Sequence, residues 1–176
     1  MIFTETKLPG ALVIDLEQLE DERGFFARCW SEVEFADRGL NPRSVETNIS
    51  FNRKAGTLRG MHFQIAPHAQ PKLVRCTAGA IYDVIIDLRP ESVTFKHWIA
   101  VELTAANRRQ LYIPEGFAHG FQTLVDNTEV LYQMSAPYVA ESARGVRWND
   151  PAFDIDWPAA ERIIIARDQT YPEFNE

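Results

Sequence analysis

Hydrophobic positions along the chain fall into short alternating or β-branched runs, each cut off by turn residues. In "ALVIDLEQL" the acids Asp15 and Glu17 alternate with Ile14, Leu16 and other apolar residues. "KLVRCTAGAIYDVIIDLR" reads as two strands joined at Ala78-Gly79. In the second, Tyr82, Val84, Ile86 and Leu88 share one face, and Ile81, Asp83, Ile85 and Asp87 share the other. "HWIAVEL", "RQLYIP", "HGFQTLV" and "EVLYQMS" continue the pattern. Helix is scarce. "SEVEFADRG" predicts one short helix, with Ser31 and Glu34 as a capping box and Gly39 as the stop. "PAAERIIIARD" fits either strand or helix. Many closely spaced strands predict an all-β sandwich or barrel with one or two short helices.

Composition narrows the class. At 176 residues, 45% hydrophobic and 24% charged, the chain fits one globular domain spanning 1–176. A net charge of -7 argues against general affinity for nucleic acid, because phosphate backbones are bound by clustered Lys and Arg. One small phosphorylated ligand held by local basic residues stays compatible with it. Cys29 and Cys76 form neither a metal-spaced pair nor a disulfide framework, as expected of reduced thiols in the cytoplasm. The N-terminus lacks the order of a signal peptide, and no apolar run approaches the roughly 20 residues that span a bilayer. No membrane partner is expected.

Two segments stand out as chemistry: "GTLRGMHFQ" and "PEGFAHGF". The spacing from Gly56 to His62, and the Pro114-x-Gly116-x-x-His119 pattern, resemble the two motifs of the cupin family. That resemblance implies a jelly roll, the double-stranded β-helix, with the site in the barrel mouth. Metal-binding cupins supply a further histidine where Gln64 stands and an acid a few residues later, where "IAPHAQPK" has none. His62 and His119 alone are too few ligands for a divalent metal, so none is expected. His62 is then a candidate general base. Asp83, Asp87 and Asp168 are candidates for the carboxylate that orients it, and Tyr132 for a proton donor. Without a motif behind them, His62 would be a satisfied structural histidine, Tyr132 a core aromatic and Asp168 a solvated charge. His68 and His97 read as surface residues; Phe25, Phe26 and Trp30 read as core or interface.

From "DERGFF" to "ARD" the chain resembles the dTDP-4-dehydrorhamnose 3,5-epimerase family, through "GTLRGMHFQ", "KLVRCTAGAIYDVIIDLR", "YIPEGFAHGFQTL" and "VLYQMSAPY". The resemblance implies a nucleotide-linked 4-keto-6-deoxy sugar as substrate, with C3 and C5 acidified by the C4 ketone. It assigns His62 as base, Asp168 as its orienting partner, Tyr132 as proton donor on the opposite face, and Lys72 as stabiliser of the enolate. Arg59, His119 and Arg167 match further substrate contacts, and Gln64 is counted with them. Arg23 and Asn48 match residues that bind the nucleotide diphosphate from a neighbouring subunit, so a homodimer is implied. No cofactor is implied. A C3-only epimerase or ketoisomerase, a metal-dependent cupin, and a non-catalytic sugar-binding module are the rival readings.

The chain departs from that family at several points. Arg28 stands where glutamate is usual, Glu46 where glutamine is usual, and Ala143 where glutamate is usual, while "ETNISFNRKAG" carries one extra residue. Arg28 and Glu46 are expected to lie near each other and to reshape the nucleotide pocket. Strict alternation also puts Arg59 and His62 on opposite strand faces, unless Gly60 hosts a bulge.

Overall fold

The computed structural model describes residues 1–175. Strands β1 (Ile2–Glu5) and β2 (Leu12–Asp15) precede a small hairpin of β3 (Leu19–Asp21) and β4 (Gly24–Phe26), then helix α1 (Glu32–Ala36). Strands β5 (Glu46–Asn52), β6 (Leu58–Gln64), β7 (Lys72–Ala78) and β8 (Ala80–Asp87) follow. β9 (Trp98–Thr104), β10 (Gln110–Ile113), β11 (Phe117–Thr123) and β12 (Thr128–Met134) complete the main framework. A short β13 (Ala143–Gly145) and helix α2 (Ala166–Gln169) end it. The strands form a six-stranded sheet, β1-β2-β10-β7-β12-β5, and a five-stranded sheet, β13-β6-β11-β8-β9, each antiparallel throughout. They pack face to face as the jelly roll expected of a cupin.

The alternation of the sequence explains the layers. Val74, Cys76, Leu111 and Val130 point inward from one sheet and meet Ile81, Ile85, Leu103 and Phe121 from the other. The opposite face of β8, with Val84 and Ile86, is buried too, under Val146, Phe153 and Trp157 of the C-terminal segment. Asp83 and Asp87 therefore go inward with Ile81 and Ile85, and both are fully buried. The expected corner at Ala78-Gly79 carries the chain from one sheet to the other. Gly79 has φ +77° there, and a Cβ would collide with Thr128.

Helix α1 plugs the outer face of β2 and β10 with Phe35, against Ile14 and Tyr112. Half of its expected capping box forms: Ser31 Oγ accepts from Glu34 N–H at 3.4 Å. The Glu34 carboxylate turns away to the Met1 ammonium and to Arg28. "IIIA" is for the most part neither strand nor helix. Ile163 makes one parallel bridge to Thr57, and α2 begins only at Ala166. This segment straps across the end of β6, with Ile163 N–H donating to Gly56 O and the Ile163 carbonyl accepting from Leu58 N–H. Among the described residues no helix is long and apolar enough to cross a membrane.

Candidate active site

The site grows from an irregularity in β6. His62 pairs with His119 of β11, but Arg59 pairs with Phe121, so β6 spends one residue more than its partner over the same stretch. This is the bulge that alternation required at Gly60. Gly60 has φ +132°, and a Cβ on it would lie 2.5 Å from Gly120 Cα. The two glycines let the strands touch, and the extra residue brings Arg59 and His62 to the same cavity of about 420 Å³.

His62 and Lys72 line this cavity from β6 and β7, His119 from β11, Tyr132 from β12, and Arg167 and Asp168 from α2. His62 and Tyr132 belong to different sheets, so imidazole and phenol stand on facing walls. An annex of about 230 Å³ shares His62, Lys72, Tyr132 and Arg167 and adds Asn48, Tyr138 and Tyr171.

Of the three candidate carboxylates, Asp168 serves His62. Its Oδ1 lies 2.9 Å from His62 Nε2, and it is 1% exposed against 33% for the histidine side chain. Gly60 N–H donates to Asp168 Oδ2 at 3.2 Å, and Arg167 Nε donates to Oδ1 at 3.0 Å. Burial alone would raise this carboxyl, yet the bonds from His62, Gly60 and Arg167 together hold it below the usual carboxylate range. Two groups meet Nε2: Arg167 Nη2, which only donates, at 3.1 Å, and the ionised carboxylate, which only accepts, at 2.9 Å; the shorter, charge-assisted bond to Asp168 favours the proton on Nε2 and the lone pair on Nδ1. Nδ1 has no partner among the described residues. That is the orientation a general base needs.

Asp83 goes instead to His119, with Oδ1 2.7 Å from Nε2, and Asp87 is taken by Arg89, Ser92 and Thr94. Neither reaches His62. Asp83 still matters electrostatically: burial pushes the Lys72 ammonium down to about 8, and the Asp83 charge pulls the other way. Lys72 Nζ donates to the His62 carbonyl at 3.4 Å.

Other expected residues divide. Arg59 is held by Asn52 Oδ1 at 2.7 Å, and Asn48 lines the annex. Gln64 is buried and used as a clamp: its amide donates to His68 O and Pro137 O and accepts from Val139 N–H. Both amide hydrogens are thus taken by the protein, one acceptor site of Oε1 stays free, and the side chain lines the annex. It ties the loop of Tyr138 to β6 at the position where metal-binding cupins place a ligand. Arg28 and Glu46 do not pair within the chain: Arg28 bonds Glu34 at 3.2 Å and Glu46 accepts from Tyr138 N–H at 3.3 Å. Arg23 sits at the exposed tip of the β3–β4 hairpin, bonded to Asp21, and lines neither the cavity nor its annex. His68 is half-buried and bonded to Ser142 Oγ at 2.9 Å rather than free on the surface.

Four residues of the site went unread in the sequence. Ser50 and Asn52 follow Asn48 at the period of a strand, so alternation along β5 could have found them. Tyr138 and Tyr171 lie in irregular segments where no periodicity points.

A family model for dTDP-4-dehydrorhamnose 3,5-epimerase matches residues 5–176. The dTDP-4-dehydrorhamnose 3,5-epimerase of Salmonella typhimurium is 43% identical over 178 aligned residues, covering 100% of this chain and 97% of the relative. The crystal structure of the Bacillus anthracis dTDP-4-dehydrorhamnose 3,5-epimerase, with TDP and PPi bound, superposes with a TM-score of 0.94 at 42% identity, covering 98% of this chain and 99% of that one. A 3'-monoepimerase from Streptomyces bikiniensis, in complex with dTDP-quinovose, reaches 0.88 at 27% identity, covering 96% of this chain and 85% of that one.

Proposed function

This chain belongs to the dTDP-4-dehydrorhamnose 3,5-epimerase family, and on that premise we propose how its own residues carry out the reaction. The substrate is a dTDP-linked 4-keto-6-deoxy sugar whose configuration is inverted at C3 and C5. Both carbons flank the C4 ketone, so removing either proton gives an enolate and no external electron sink is needed. His62 takes the proton through Nδ1. Asp168 fixes the tautomer and stabilises the imidazolium that forms. Tyr132, on the facing wall, returns a proton to the other face of the carbon. Lys72 stabilises charge on the enolate oxygen. His119, braced by buried Asp83, and Arg59, braced by Asn52, hold the sugar.

The observation that carries this reading is the His62–Asp168 pair on one wall of a cavity with Tyr132 on the other. The annex beside Asn48 and Arg167 is the place for the nucleotide diphosphate. A second copy of the chain supplies Arg23 in a homodimer. Its hairpin holds Phe25 and Phe26 exposed, apolar surface that a partner would cover. The protein works in the cytoplasm with reduced thiols.

Proton NMR with dTDP-4-keto-6-deoxyglucose in deuterated buffer tests the reading. Loss of both the C3 and C5 signals is expected, and none with His62→Ala. The likeness to a 3'-monoepimerase favours one alternative, loss at C3 alone. Exchange at neither carbon would remove the proposed function.

A further inference from the structure

We infer that Tyr171 is a positioning residue for the base, a wall that fixes the rotation of the His62 ring, seated in a notch made by Gly145. The inference rests on the reading of His62 as the base. A hydrogen bond at Nε2 does not by itself hold an imidazole. The ring can still turn about the line from Cγ to Nε2, and that turn swings Nδ1, the atom that must meet the substrate hydrogen. The phenol of Tyr171 stands against the ring with centroids 6.3 Å apart and planes at 72°, an edge-to-face contact that restricts this turn.

Gly145 shows that the contact is built in. It is the strand partner of His62 in the β13–β6 pair. Its φ is not among the positive values that favour glycine, so the backbone does not require glycine there. Space does: a Cβ would run into Cζ and Cε2 of the Tyr171 ring and lie 2.7 Å from its hydroxyl. The chain just after Tyr171 is pinned, with Phe174 N–H donating to Asp150 Oδ2 at 2.8 Å and the Phe174 ring packed on Phe153 at 5.1 Å. One short segment thus delivers both restraints on the base, the carboxylate of Asp168 and the ring of Tyr171. The Tyr171 hydroxyl makes no hydrogen bond among the described residues, so the ring alone does the work.

The test is a double-mutant cycle on the intact protein, read as kcat, KM and deuterium exchange at C3 and C5. Tyr171→Ala is expected to lower kcat about 10- to 100-fold, because a misaimed base costs rate at saturating substrate, whatever the loss of annex wall does to KM. Tyr171→Phe, which restores the ring without the hydroxyl, is expected to recover most of the kcat that Tyr171→Ala loses. Gly145→Ala, which displaces the phenol from the other side, is expected to mimic Tyr171→Ala. The double variant should then be no slower than either single one. A wild-type kcat in Tyr171→Ala, or a Tyr171→Phe as slow as Tyr171→Ala, overturns the inference. If Tyr171→Ala does not fold, Tyr171→Leu and Gly145→Ala carry the same comparison. Absence of exchange in the wild type would instead remove the epimerase reading itself.

Discussion

His62 and Asp168 stand 106 residues apart in the chain, yet their side chains meet at 2.9 Å, joined further by the Gly60 N–H that donates to the same carboxylate. The bulge residue thus bonds the same carboxylate that bonds His62. Asp168→Asn keeps the volume and removes the charge that stabilises the imidazolium. A fall in kcat of roughly 10²- to 10⁴-fold, with substrate still binding, is the expected outcome. Deuterium exchange at C3 measures it directly; an unimpaired exchange rate would remove Asp168 from the mechanism.

Lys72 sets the alkaline side of the pH profile. Burial lowers its ammonium to about 8 against the pull of Asp83, and the protonated form is the one that stabilises an enolate. The Lys72 contribution is therefore complete below that value and lost as pH rises through it. A plot of log kcat/KM should turn downward near pH 8. Lys72→Arg stays charged across the range, so any turnover it keeps should show no such limb.

Much of this was legible in the sequence, for physical reasons that can be named. The strands of β7 and β8 follow from period-two burial, and the bulge at Gly60 from the conflict between that period and a site needing both Arg59 and His62. Asp168 was legible only through resemblance, since nothing local distinguishes an acid in "ARD" from a solvated one. The clamping role of Gln64 was not legible, because a glutamine at a ligand position says nothing about three backbone partners in other loops. Within one chain Arg28 pairs with Glu34, six residues on, and Glu46 accepts from Tyr138 N–H, partners that the sequence did not single out. Tyr171 gave no signal because it lies in an irregular tail held by long-range packing.

Tyr132 separates abstraction from inversion. Its hydroxyl has no hydrogen-bond partner among the described residues and lies across the cavity from His62. Tyr132→Phe should leave His62 free to exchange the C3 hydrogen while inversion drops about 100-fold. The two rates are read from one sample, by loss of the C3 signal and by appearance of epimerised product. Equal losses in both would mean that Tyr132 does not act as the acid.

Asp87 anchors acid stability away from the chemistry. Burial alone would raise its carboxyl, but hydrogen bonds from Arg89, Ser92 and Thr94 outweigh that and hold it at about 2. A depressed carboxylate stabilises the fold fully above its ordinary value of 3.8 and loses that contribution as pH falls through about 2. The gain amounts to about 2 kcal/mol. Urea melts should find Asp87→Asn less stable by a similar amount at neutral pH, with the gap closing toward pH 2. A gap that stays constant with pH would show that the cost is steric and not ionic.

Gly60→Ala tests whether the bulge is what assembles the site. A methyl there meets Gly120 Cα at 2.5 Å and the His119 carbonyl at 2.9 Å, on a backbone whose φ of +132° already disfavours any side chain. Strain and overpacking together should cost roughly 2 to 5 kcal/mol. Gly24→Ala is the control: its φ is +125°, and nothing lies within 4 Å of the added methyl. It should show the conformational cost alone, so the difference between the two melting temperatures isolates the clash between β6 and β11. Relief of that clash by shifting β6 would move Arg59 and His62 relative to each other and draw Gly60 N–H away from Asp168. Folded Gly60→Ala should therefore lose most of its exchange at C3 at temperatures well below its melting point. Equal melting temperatures for the two variants, with exchange intact in Gly60→Ala, would mean that the strands can part without cost and that the bulge does not set the geometry of the base.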